Sequence, residues 1–432
     1  MYNPLSDSAP RTQYVSEMLS LSDMLLVAGQ NRTRKLGTIS SGTGIYTANT
    51  NDIIISLDCN QPGKILNLAN SYLVADITNT NAEAIKFQGK GGTHMIISEL
   101  TISTNSGVQF SYFRDYNVLM GVEMAKSVDI NYLDSYGRGM FGLGDGDFDG
   151  GAQIAADGTK TFIIPFCLSN FIKQVVPMWG IEQLQIRIKI ANARTVYIGD
   201  ASLESGEVQY SNLKFVYESV EIPPESFNKF VSAKNNTFVI AGKDWYSTSS
   251  TIPEDNTAIT IQIPINRACI SKVIAVLRTT VNILDPVKVS VCSRNRSNYT
   301  ESYLIYNGVS YPLLTVKSSA TSVAEMLAEL MISNGKNLLN VSGAFINDTD
   351  KFITAAGAAT SNATTSYGFY EFSLESGLEN NDTTYSGLRV DNSTLSLVLA
   401  GGSAGVLAQT CNIFVEFQSK YTLSNGMWKV EY

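Results

Sequence analysis

The 432-residue chain carries 31 Lys and Arg against 39 Asp and Glu, a formal net charge of −8. That balance argues against direct packaging of nucleic acid, because a genome-condensing surface displaces counterions with a basic arm or stripe. The length allows two or more cores, and no apolar run approaches the roughly 20 residues that span a bilayer. Abundant Asn, Ser and Thr beside 21 Tyr and 18 Phe favour strands with decorated loops over helical bundles. The expectation is a soluble, all-β chain.

Near the N-terminus, "YVSEMLSLSDMLLVAG" places Val15, Met18, Leu19, Ser22, Leu25 and Leu26 at helical spacing, with Gly29 as a stop. This predicts a short amphipathic helix. Packing against the body is favoured over membrane contact, because the opposite face is not basic. Glu17 and Asp23 stand where a secretory signal would need positive charge, so intracellular synthesis is expected. "NRTRK", Asn31 to Lys35, is the nearest thing to a basic arm, yet Arg11, Arg32, Arg34 and Lys35 are nearly matched by Asp7, Glu17 and Asp23. It reads as a solvated loop, and residues 1–49 as an N-terminal arm.

Strand signals follow. "DIIISLD" and "NSYLVADITN" are short apolar runs bounded by polar residues. "IEQLQIRIKIANA" alternates Leu184, Ile186, Ile188 and Ile190 against Gln185, Arg187 and Lys189, the period of a half-buried strand. "SNLKFVYESVEI" closes at Pro223-Pro224, which cannot continue a ladder. Strands restart at "NTFVIAGKDWYSTSSTIPEDNTAITIQIPI", run through "KVSVCSR" and "YLIYNGVSYPLLTV", and close at "CNIFVEFQSKYTL". Ile259, Ile261, Ile263 and Ile265 alternate with polar neighbours, and a weaker echo begins at Ile85, 174 residues earlier. Ser211-Asn212-Leu213 and Cys411-Asn412-Ile413 open matching runs 200 residues apart. Each half also holds one helical pattern, near "FRDYNVLMGVEMAKS" and at "SVAEMLAELMISNG", where Ser322 and Glu325 form a capping box. These signals predict two tandem β-sandwiches of about eight strands each, residues 50–224 and 225–432, with a few short helices in loops and at the N-terminus.

The inventory for catalysis is thin. His94 is the lone histidine, in the polar turn "GKGGTHM", and reads as an exposed loop residue. One imidazole cannot make a His metal site. Cys59, Cys167, Cys269, Cys292 and Cys411 are odd in number and widely spaced, and read as reduced core residues. In "YGRGMFGLGDGDFDGG", Gly137, Gly139 and Gly142 match a dinucleotide fingerprint, but Asp145, Asp147 and Asp149 would repel a pyrophosphate. Those three aspartates also copy the start of a calcium loop. The acid expected at its twelfth position falls on Ala156, so an acidic surface loop is the favoured reading and Asp145, Asp147 and Asp149 remain a weak metal candidate. No catalytic residue and no cofactor site is assigned.

The order of these elements resembles the double jelly-roll major capsid proteins of the adenovirus and tectivirus lineage, virophage and polinton-like members above all. The stretches that carry the resemblance are "DWYSTSSTIPEDNTAITIQIPINRACISKVIAVLRTT", "YLIYNGVSYPLLTVKSSATSVAEMLAEL" and "FSLESGLENNDTTYSGLRVDNSTLSLVLAG", with "YLVADITN" and "GGTHMIISELTIST" in the first half. The resemblance implies that the two sandwiches are tandem eight-stranded jelly rolls (a double jelly roll, all-β), in a structural, non-enzymatic protein of the virion. It implies homotrimers of six-sided outline that contact neighbouring capsomers, penton and minor or cement proteins, and an internal membrane through the N-terminal helix. It implies no sequence-specific nucleic-acid binding. A carbohydrate-binding or glycan-cleaving jelly roll, and a penton or spike protein, stand as alternatives.

Overall fold

The computed structural model describes residues 31–432 except 41–43, 51, 89–90, 128–129, 134, 145–150, 167–170, 172–174, 226, 229–236, 268, 288–298, 318–368, 375–389, 391–393, 403–406, 425 and 432, with Glu325, Ala328 and Glu329 described inside the longest of these gaps. The first half is built from β1 (Asn31–Leu36), β2 (Thr38–Ser40), β3 (Ile53–Asp58), β4 (Lys64–Asn79), β5 (Ile85–Phe87), β6 (Ile97–Thr104), β7 (Gln109–Phe113), β8 (Gln153–Ile154), β9 (Thr159–Ile164), β10 (Val175–Pro177), β11 (Gln183–Ile190), β12 (Tyr197–Ile198) and β13 (Val208–Glu221). The second half holds β14 (Thr237–Ile252), β15 (Ile259–Ile263), β16 (Ile270–Thr279), β17 (Glu301–Tyr306), β18 (Val309–Lys317), β19 (Phe369–Ser373), β20 (Leu395–Ala400), β21 (Gln409–Ser424) and β22 (Met427–Glu431).

In the second half the strand orders are β14-β21-β16-β19 and β15-β20-β17-β18, with β22 added to β21. Numbered from β14 to β21 along the chain, those eight strands lie as 1-8-3-6 in one sheet and 2-7-4-5 in the other. That interleaving of two Greek keys is the jelly roll. The first half repeats it: β1-β13-β4-β10 forms one sheet and β3-β11-β6-β7 the other, with β2 and β9 at the margins. A small sheet, β12-β5-β8, is added to the first half.

Each roll is a sandwich because its strands alternate. In β11, Leu184, Ile186 and Ile188 are buried while Arg187 and Lys189 are exposed, and Ile53, Ile55 and Leu57 do the same in the neighbouring β3. Facing them, Leu73, Ala75 and Ile77 of β4 are buried. In β15, Ile261 and Ile263 point inward as their spacing predicts. The β17–β18 hairpin turns at Asn307-Gly308, both with positive φ (49° and 81°), the turn geometry whose twist matches the flanking strands.

Three expectations change. β1 pairs along its whole length with β13, so the first roll's edge strand comes from the "NRTRK" segment expected as a solvated loop, and the sandwich starts before residue 50. The 200-residue echo joins true counterparts, since β13 and β21 are both eighth strands. The 174-residue echo does not: Ile85 lies in the small added sheet, whereas the counterpart of β15 is β3. Alternation with period two is common to every half-buried strand and cannot by itself set a register. The expected helix near residue 113 is α1 (Tyr116–Ser127). The helix at residues 14–29 lies outside the described residues, as does most of "SVAEMLAELMISNG", of which Glu325, Ala328 and Glu329 are helical.

The alternation of β11 is directly testable. Ile186→Ala should destabilise the protein by about 2–5 kcal/mol through lost burial and a residual cavity. Arg187→Ala, one residue on and facing water, should stay within about 0.5 kcal/mol; denaturant unfolding of both variants measures the contrast.

Candidate functional site: the seam between the two rolls

Among the described residues, the chemistry-bearing side chains singled out by sequence do not converge. Asp145, Asp147 and Asp149 lie outside the described residues. The glycine fingerprint ahead of them is a short helix, Tyr136–Phe141, ended at Gly142, and is no phosphate-binding turn after a strand. His94 corrects its expectation: it is buried, its ring 5.0 Å from that of Phe141. Burial drives its imidazole down to about 4, so it is neutral near pH 7. Cys59 and Cys411 are buried, and desolvation pushes both thiols up to about 12, as core cysteines should be. Among the described residues no group of three or more His, Cys, Asp or Glu side chains is placed to hold a metal ion.

What the fold does bring together is a polar and aromatic seam between the rolls. Its ground is the β14-β21-β16-β19 sheet. Ordinary sandwich strands show one face to water, but Val273, Ile274, Ala275, Val276 and Leu277 are buried without a break, as are Cys411 to Val415. Such runs mark strands covered on both faces. The second face is covered by the first half, with β7 and α1 contributing.

The apolar part of the seam is aromatic. Phe110 of β7 stacks on Phe171 at 4.1 Å and meets the edges of Tyr421 at 5.7 Å and Trp428 at 5.4 Å. Trp179 meets Phe238 edge-on at 5.2 Å. Beside them Gly180 approaches Leu423 so closely that a Cβ there would lie 2.6 Å from a leucine methyl.

The polar part is a charged ladder. On α1, Glu123 and Lys126 are three residues apart and pair at 2.7 Å. Lys126 Nζ also reaches Glu371 Oε2 of β19 at 3.0 Å, and Lys272 of β16 reaches the other oxygen at 3.2 Å. Glu416 of β21 accepts from Ser271 at 2.7 Å and sits 3.5 Å from Lys243 of β14. Burial alone would pull the Lys272 ammonium down; Glu371, Glu416 and Glu123 outweigh it and hold it above its usual range. Burial likewise opposes charge on Glu416, and Lys272 and Lys243 reverse the effect. A second link runs from Arg278 Nε to Asn412 Oδ1 at 3.0 Å, and from Asn412 Nδ2 to Asp115 Oδ2 at 2.9 Å.

These residues escaped the sequence reading, although a signal was present. Glu371 in "FYEFS", Lys272 in "ISKVIAVL" and Glu416 in "IFVEFQ" are lone charges inside apolar strands, where a charge is tolerated only with a partner.

No protein-family model and no curated protein matches the sequence. Solved structures do. The PBCV-1 protein VP54, as fitted into a cryo-EM reconstruction of the virophage Sputnik, superposes with a TM-score of 0.61 at 11% identity, covering 94% of this chain and 97% of that one. The Faustovirus major capsid protein gives 0.54 at 8% identity, over 92% and 91%. The mavirus major capsid protein gives 0.50 at 11%, over 92% and 90%. This chain has the double jelly-roll fold of viral capsid proteins. The match spans both jelly rolls, covering more than nine-tenths of this chain, rather than one barrel at a time.

Removing one partner from a buried ion pair leaves a charge with neither water nor counter-charge, at a cost of about 3–5 kcal/mol. Glu371→Leu should show that loss as a lower thermal midpoint. Adding Lys126→Met should recover part of it, since Lys272 keeps Glu416 and the Glu123 side chain is 27% exposed. Equal losses in both variants would assign the effect to packing.

Proposed function

We propose that this chain is a major capsid protein whose copies associate as homotrimers and tile an icosahedral shell. The observation that carries the proposal is the duplicated strand order, 1-8-3-6 over 2-7-4-5 in each half, superposable on capsid proteins over more than nine-tenths of both chains. A closed threefold assembly of two-roll chains presents six similar corners, so a trimer can fill a position with six neighbours.

The inter-roll seam suits that role. A tile must keep its two barrels at a fixed angle while neighbours press on its flanks, and a ladder of buried, geometry-specific charge pairs resists sliding better than an apolar contact of equal area. Exposed apolar side chains also favour lateral association. Val281, Leu284 and Leu407 are about half exposed or more, and the Thr280 to Ala408 backbone bond of 3.0 Å brings their loops together. A monomer gains nothing from such a patch, and an assembling block buries it. The formal charge of −8 supports a shell that meets other proteins or a membrane on its inner side, with the residue 14–29 segment as the membrane-facing candidate, rather than the genome directly. Neighbouring capsomers, penton proteins and minor cement proteins are the partners this reading assigns, and the virion is its place.

Light scattering of the purified full chain should give three times the 47.0 kDa chain mass, and electron micrographs should show six-sided outlines. A strictly monomeric species at high concentration would overturn the proposal.

A further inference from the structure

One carboxylate in the seam has no counter-ion in hydrogen-bond contact among the described residues. Asp244 of β14 is buried, and its Oδ2 accepts from Ser111 Oγ of β7 at 2.9 Å and lies 3.1 Å from Tyr421 Oη of β21. The same phenol oxygen lies 3.1 Å from the backbone carbonyl of Phe110 and 3.1 Å from Ser419 Oγ. Asp244 Oδ1 is occupied by its neighbour's amide, Trp245 N, at 2.9 Å. Phe110 and Ser111 belong to the first roll; Asp244, Ser419 and Tyr421 belong to the second.

We propose that Asp244 is held as the neutral carboxylic acid and that its proton locks the two rolls together. The argument is a count of hydrogens. Tyr421 owns one proton and faces two oxygens that can only accept if Asp244 is ionised: the Phe110 carbonyl and the carboxylate. Donating to the carboxylate strips the Phe110 carbonyl of this bond. Donating to the carbonyl leaves the phenol lone pairs against a full negative charge at 3.1 Å. Either choice leaves a buried polar contact unmet. One added proton on Oδ2 resolves the contacts of the carboxyl and the phenol, and Ser419 Oγ, also 3.4 Å from the Gly242 carbonyl, has the phenol as its nearer acceptor. Oδ2–H donates to Tyr421 Oη, Tyr421 donates to the Phe110 carbonyl, Ser419 donates to the phenol's second lone pair, and Ser111 donates to Oδ2 as before. The result is a continuous chain from the second roll's carboxyl to the first roll's backbone.

The surroundings agree. Burial raises the Asp244 carboxyl from 3.8 to about 7, against the opposing pull of Trp245 N–H, Ser111, Tyr421 and the charge of Arg267. The Tyr421 phenol is itself driven well above its usual range, by burial first and by Asp244 second, so it stays protonated and serves as relay. Lys243, next in the strand, is engaged with Glu416 at 3.5 Å. From β7 the facing group is Ser111, and from β21 they are Tyr421 and Ser419.

The sign of the pH dependence follows. The folded state keeps a proton that an unfolded Asp releases near 3.8, so the stabilisation is whole at low pH and is lost as the pH rises through about 7. His94 works the other way: its folded value near 4 lies below the 6.5 of a free imidazole, so it costs stability as the pH falls below 6.5. The test must therefore compare variants.

Infrared spectra of the full-length protein between about pH 5.5 and about pH 8.5 bracket the transition and avoid ordinary carboxyls. The expected result is a C=O stretch of an un-ionised carboxylic acid at the acid end, fading as the pH rises through about 7 and missing from Asp244→Asn. The thermal midpoint of the wild type, taken relative to Asp244→Asn at each pH, should fall over the same window. Should Asp244→Asn fail to fold, Tyr421→Phe serves, because deleting the relay should move the midpoint of the band. A wild-type spectrum with no acid band at about pH 5.5, a band that Asp244→Asn retains, or a band midpoint unmoved by Tyr421→Phe overturns the proposal.

Discussion

The structure depends on one sheet whose inner strands have no free face. β16, β19 and the first half of β21 are buried by their own sandwich on one side and by the other half of the chain on the second, so neither roll is complete alone. The unbroken apolar run from Val273 to Leu277 would be a serious liability on an isolated barrel, where one face of the strand should be polar. Covering it makes two barrels into one rigid object, with a single apolar cluster that includes residues of both.

That cover is not made of oil alone. Charges cross the sheet through Lys243, Glu416, Lys272 and Glu371 and are completed by Lys126 and Glu123 from the helix of the other roll. Replacing such a network with apolar residues is often neutral or stabilising, so stability is a poor reason for its existence. Geometry is a better one. Greasy surfaces slide with little penalty, whereas a carboxylate caught between two ammonium groups has one low-energy position. The seam therefore divides its labour: Phe110, Phe171, Tyr421 and Trp428 supply area, and the ion pairs supply register.

Much of this was legible in the sequence, and the failures have physical causes. The β11 alternation, the stop at Pro223 and the helix at Tyr116 each rest on local rules, and each appears as read. The element order was legible as a resemblance to double jelly-roll capsid proteins, and turns and alternation mark where its strands lie. The Asn31 to Leu36 strand was missed because an edge strand rich in Arg and Lys satisfies the same composition as a solvated loop. His94 was misplaced because a glycine-rich turn normally lies outside, and here α1, β9 and the helix ending at Phe141 pack against it. Asp244 was invisible, since nothing around "GKDWY" reveals that its neighbours across the gap are a serine and a phenol from strands far apart in the chain.

The duplicated halves also explain why equal topology need not mean equal use. Asn212 and Asn412 occupy matching places in β13 and β21, and each donates its side-chain amide to an aspartate: Asn212 to Asp76 at 2.7 Å, Asn412 to Asp115 at 2.9 Å. The first pair is exposed, and Asp76 is held below its usual range by Thr161 and Asn212. The second bridges the two rolls, with Arg278 closing it from behind. One repeat spends the motif on its surface, and the other turns it into a joint. In the trimer proposed above, the two kinds of corner would differ in chemistry: one roll keeps the face around Asp76 open to solvent, and the other has its matching face already filled by its own chain. Any neighbour that must tell the corners apart has that difference to read.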